Sequence, residues 1–141
     1  MPSKAHQLIS GLIVRKMREK GYLIIAFDGN EKIISDIFLK ATPVIKRHKP
    51  DILGIDIKSK KICIGEAKTE GDLANERTKE QLLDYASLAE DKNKYFELII
   101  GIPESAEVYL MKLLDKLNIK TSPNVSYIHV PNALICEEEN E

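Results

Sequence analysis

The chain is poor in the residues that usually announce a function. It has no tryptophan, two cysteines, three histidines and seven glycines in 141 residues. Cys63 and Cys136 cannot build a disulfide scaffold, and neither has His or Cys neighbours at zinc-ligand spacing, so both are expected to be reduced thiols. The glycines are scattered. None falls in GxxxxGK[ST] or GxGxxG, which excludes the common phosphate and dinucleotide loops, and no serine sits in GxSxG. His6, His48 and His129 lie far apart and lack metal-ligand spacing. No apolar run is long enough to span a bilayer, and the start, MPSKAHQL, lacks the apolar core of a signal peptide, so a cytoplasmic location is expected.

What is present is an ordinary globular composition, 43% hydrophobic and 30% charged, enough for one core. A single domain over 1–136 with an acidic tail at 137–141 is expected. The net charge of −1 hides an asymmetry: residues 1–68 carry +7 and residues 69–141 carry −8. The positive excess is dense at Lys46, Arg47, His48 and Lys49 and again at Lys58, Lys60 and Lys61. Such clusters either track a phosphate backbone or are solvated turns.

Hydrophobic periodicity orders the elements. Leu8, Ile9, Leu12, Ile13 and Met17 recur at helical spacing over Ser3–Lys20, with Ser3 as N-cap and Gly21 as stop. Tyr22–Phe27 reads as a strand, ended by Asp28-Gly29-Asn30. The stretch 31–45 fits a short helix or a strand, with a helix or irregular connector favoured. Asp28 and Asp36 in this region are read as surface acids. A hairpin follows, then a helix from Leu73 to about Asp91, a continuous apolar strand over Tyr95–Ile102, a helix over Glu104–Asn118 and a last strand over Val125–Val130. This order predicts an α/β mixed sheet flanked by helices.

The hairpin KPDILGIDIKSKKICIGEAK, residues 49–68, places its charges oddly. Asp51 opens the first strand, while Glu66 and Lys68 close the second after isoleucine-rich runs. Alternation puts Ile62, Ile64, Glu66 and Lys68 on one face and Cys63, Gly65 and Ala67 on the other. Two carboxylates converging at the end of buried strands are costly unless compensated, and a divalent cation is the usual remedy. Mg²⁺ prefers oxygen ligands and needs only one or two protein carboxylates. With Lys68 beside a metal-bound water, this is the outline of a phosphodiesterase site.

Pro50-Asp51, fourteen intervening residues and Glu66-Ala67-Lys68 resemble the signature of the PD-(D/E)xK nuclease superfamily, which includes restriction endonucleases, Holliday-junction resolvases and DNA-repair exonucleases. The resemblance implies a restriction-endonuclease-like fold. It also implies Mg²⁺ or Mn²⁺ held by Asp51, Glu66 and the Ala67 carbonyl, with Lys68 positioning the attacking water and Gln81 directed at the scissile phosphate. DNA is the implied partner, with 5′-phosphate and 3′-hydroxyl products and a homodimer or partner subunit open. Tyr85 shares a helix face with Gln81, and Arg77 and Lys79 are candidate phosphate contacts. Glu70 and Asp72 are outer contacts to metal-bound water, or Asp72 caps the helix after it. One departure stands out. The family's first-helix Glu is absent, since Glu19 lies at the wrong end, leaving His6 or Gln7 for that position. A restriction or repair endonuclease ranks first, a junction resolvase second, and the rival from another class is a non-catalytic nucleic-acid-binding or assembly subunit with the same fold.

Overall fold

The computed structural model describes residues 3–27 and 44–139, with side chains to 135. Asp28, Asp36 and most of the ambiguous 31–45 stretch lie outside the described residues. Helix α1 (Lys4–Glu19) starts where the Ser3 hydroxyl accepts the His6 N–H at 3.1 Å, and the chain turns out of it at Gly21, whose φ of +95° only glycine adopts readily. Strands β1 (Leu23–Phe27), β2 (Ile52–Ile55) and β3 (Ile62–Ala67) follow, then a 3-10 turn (Asp72–Ala74) and α2 (Glu76–Asp91). The remainder is β4 (Phe96–Pro103), a 3-10 turn (Glu104–Ala106), α3 (Glu107–Lys116), β5 (Val125–Val130) and α4 (Asn132–Glu139). No helix among the described residues is long and apolar enough to cross a membrane.

The five strands form one mixed sheet in the order β1-β2-β3-β4-β5. The first two pairings are antiparallel and the last two parallel, with α2 and α3 as the crossover segments. Alternation along the strands then decides which layer each side chain joins. Ile64, Leu98, Ile100 and Ile102 pack with Leu82 and Tyr85 of α2 and Leu110 of α3. Cys63, Ala67 and Ile99 pack on the other face with Ile9, Ile13 and Met17 of α1 and Ile135 of α4. The expected α/β fold with helices on both faces is the one observed, at the coarse level of a restriction-endonuclease-like sheet. Helix α4 runs into the expected acidic tail, as far as Glu139.

Helix α1 lies unusually close to the sheet. A Cβ added to Gly54 would stand 2.8 Å from Met17, one on Gly65 2.8 Å from Ile13, and one on Gly101 2.7 Å from both Ile9 and Ile13. These glycines step across β2, β3 and β4, so the helix crosses the strands diagonally, and its first turn arrives over the carboxyl ends of β3 and β4. Gly101→Ala overpacks this seam and is expected to cost about 1–3 kcal/mol. The check is a lowered urea midpoint with an unchanged slope.

Candidate active site at the end of the hairpin

The β2–β3 register pairs Ile52 with Gly65, so one residue further on Asp51 stands opposite Glu66. There the backbone ladder gives way to side-chain bonds. The Asp51 N–H donates to Glu66 Oε1 at 3.2 Å, and the Ala67 N–H donates to Asp51 Oδ2 at 2.9 Å. Each carboxylate is thus held by the other's strand. Lys68 places its ammonium 3.3 Å from Glu66 Oε2 and donates to Gln81 Oε1 of α2. The motif residues Asp51, Glu66, Ala67, Lys68 and Gln81 therefore converge.

Burial sets the electrostatics. Glu66 is 1% exposed, and desolvation, followed by the Asp51 charge, pushes its carboxyl up to about 8 against the pull of Lys68. His6, in the first turn of α1, brings Nε2 to 3.3 Å from Asp51 Oδ2, and this bond raises its pKa although burial opposes the rise. His6, rather than an acid, therefore occupies the first-helix position at this site. Glu19 pairs with Arg15 at the helix's far end. Among the described residues no group of three or more His, Cys, Asp and Glu side chains is arranged to hold a metal.

Behind this group, Tyr85 is fully buried and its hydroxyl has no hydrogen-bond partner among the described residues. Burial raises its pKa most, then the charges of Glu66 and Asp51. Gln81 is also buried, so neither side chain lies on a solvated helix face. Arg77 lines a concavity of about 340 Å³ with Lys49, Asp51, Lys68, Thr78 and Gln81. Lys79 does not line it, and its ammonium pairs with Glu76 2.8 Å away. Asp72 does not cap α2. Its Oδ2 accepts the Thr69 N–H at 2.8 Å and the Thr69 hydroxyl at 2.9 Å, while Asn75 caps α2 by accepting the Arg77 N–H at 2.9 Å. Glu70 lies on the exposed loop and lines a separate concavity.

The two basic clusters part company. Lys58, Lys60 and Lys61 sit at the hairpin turn, roughly 15 Å from Asp51 at 3.3 Å per strand residue, and Lys61 donates to Asn124 at 2.6 Å. That cluster does not flank the site. Near the site, Ile45–His48 is a tight turn with Lys46 at φ +51° and Arg47 at φ +70°, a conformation costly for both side chains. It is pinned to α2: Arg47 Nε and His48 Nε2 each lie 2.9 Å from Asp84 Oδ2. Burial opposes ionisation of Asp84, yet these two bonds hold its pKa below the usual value. Of the four basic residues, Lys49 is the one lining the concavity.

Sequence reading missed Thr78, although Thr78, Gln81 and Tyr85 at i, i+3 and i+7 share one helix face. It also left His6 undecided. Comparison with protein-family models, curated proteins and solved structures finds no match to this chain.

Proposed function

We propose that this chain is a metal-dependent nuclease that hydrolyses phosphodiester bonds in DNA, as an endonuclease of the restriction or repair type. The observation that carries the reading is the pair of carboxylates, Asp51 and Glu66, each fixed by the other's strand at a sheet end, with the Lys68 ammonium 3.3 Å from Glu66. A structural role is poorly served by two adjacent acids, one of them 1% exposed.

The donor set fits a hard divalent cation. Two carboxylates suffice for Mg²⁺ or Mn²⁺, which keep several waters. The buried, unpartnered Tyr85 hydroxyl supports this fit, because a hydrated ion between the acids would give it a water to bond. Asp51 and Glu66, with the Ala67 carbonyl, would hold the ion. When bound, it supplies an acidified water and neutralises charge on the phosphoryl oxygens. The chain's own groups do the rest. His6 and the Ala67 N–H hold Asp51 through Oδ2, leaving Oδ1 for the ion. Gln81 and Glu66 hold the Lys68 ammonium, which orients the attacking water and stabilises developing negative charge.

One observation favours a non-catalytic module. Lys68 is already bonded to Glu66 and Gln81, as in a closed structural ion pair. Plasmid nicking decides between the readings. With Mg²⁺ the wild type is expected to nick or cut DNA, and Lys68→Ala to lose about 10²–10³-fold in rate. No cleavage of linear, supercoiled, single-stranded or branched DNA by the wild type removes the nuclease reading.

A further inference from the structure

The concavity beside the site has a floor that the proposed hydrolysis does not use. Thr78 lines it, is 3% exposed and takes part in no side-chain hydrogen bond with the described residues. Its hydroxyl is not sealed in the core as that of Tyr85 is, and so is open to the concavity. Thr78 belongs to the first turn of α2, a 16-residue helix whose N-terminus opens into the same space. The first amides of an α-helix have no partner within the helix and carry partial positive charge. Asn75 takes one of them, that of Arg77, and the amides of Glu76 and Thr78 have no intrahelical acceptor. The Arg77 and Lys49 side chains, exposed at the rim, form no ion pair among the described residues.

Each of the two acids that share the wall has one oxygen, Oδ2, held by other groups. Asp72 accepts two bonds from Thr69, and Asp51 accepts from Ala67 and His6. A tetrahedral oxyanion at this point would meet the unbonded Thr78 hydroxyl, amides at a helix N-terminus and two cations. Thr78 is three residues from Gln81 on α2, about 4.5 Å along the helix, and Gln81 is bonded to Lys68. The space is therefore continuous with the proposed catalytic group.

We infer that the first turn of α2 is a phosphate subsite for the phosphodiester next to the one cleaved, contacted by Thr78, Arg77 and Lys49. This rests on the nuclease reading for the identity of the ligand, but the subsite itself binds without metal. It fixes where the strand runs: from the carboxylate pair, past Lys68 and Gln81, onto the start of α2. Arg77 and Lys49 supply charge, whereas Thr78 supplies a bond independent of salt.

The test uses the full chain in EDTA, titrated with inorganic phosphate and followed by amide NMR. Saturable shifts at Glu76, Arg77 and Thr78 are expected. Thr78→Val should weaken the phosphate affinity about tenfold, as for a hydrogen bond to a charged group. Arg77→Gln, at an exposed position, keeps the test open should Thr78→Val not fold. It should weaken binding of a short single-stranded oligonucleotide and lower the salt slope by about 1. Absence of shifts at these amides, or unchanged phosphate affinity in both variants, overturns the subsite. Cleavage with Mg²⁺ is scored separately. Amide shifts without cleavage retain the subsite and remove the nuclease reading, and cleavage without amide shifts does the reverse.

Discussion

Glu66→Gln is expected to bind no Mn²⁺ and yet to unfold at higher denaturant than the wild type at pH 8.5. Burial and Asp51 raise the Glu66 carboxyl from its ordinary 4.5 to about 8. An acid whose folded pKa lies above its unfolded one binds more protons when folded, so its contribution to stability is lost as pH rises between the two values. The wild type and variant should therefore match near pH 4.5, diverge up to about pH 8 and stay apart above it. Gln keeps an acceptor for the Asp51 N–H but leaves Lys68 without its counter-charge, so the gain is on the order of 1–3 kcal/mol rather than the full shift. Urea melts at pH 5 and pH 8.5, with Mn²⁺ calorimetry, measure it. A variant less stable at both pH values would make Glu66–Lys68 a structural pair and favour the non-catalytic module. Mn²⁺ should also stabilise the wild type alone.

Much of this site was legible because a strand's period is two. Alternation put Ile64, Glu66 and Lys68 on one face, and a hairpin joining the Pro50-Asp51 run to the Glu66 run brings the two acids to one end. The same rule should have separated the lysines at residues 58–61 from the site, since a turn lies at the opposite end of its strands. His6 was harder. Its place depends on α1 crossing the sheet over Gly54, Gly65 and Gly101, a long-range fit that no local pattern carries. Asp72 and Asn75 are both good capping residues three positions apart, and the choice fell to Asn75 because Thr69 claims the Asp72 carboxylate. Helix α4 has weak periodicity, so no local pattern marks it, and only its last residues fall in the expected acidic tail. Ile135, buried against α1, ties it to the fold by tertiary contact.

Glu97 supplies the contrast that gives the Glu66 result its meaning. It opens β4 at the other end of the sheet and on the opposite face, and it is as buried as Glu66, at 3% exposed. Its environment differs. The Tyr22 hydroxyl donates to Oε1 at 2.7 Å, Lys20 pairs with Oε2, and the strand neighbour of Glu97 on β3 is Cys63 rather than a second carboxylate. Burial first, then the bond to Glu97, raises the Tyr22 pKa, so its proton stays in place at neutral pH. These contacts join the end of α1, the entry to β1 and the start of β4. Glu97→Ala strips the counter-charge from Lys20 and the acceptor from Tyr22, and should cost about 3–5 kcal/mol. Mn²⁺ affinity and cleavage per folded molecule should not change, since the site lies at the far end of the strands. Urea melts read the first, and calorimetry below the unfolding transition reads the second. Opposite signs for two equally buried glutamates on neighbouring strands would separate the acid retained for chemistry from the acid retained for the fold. Matching losses of stability would mean that both are structural.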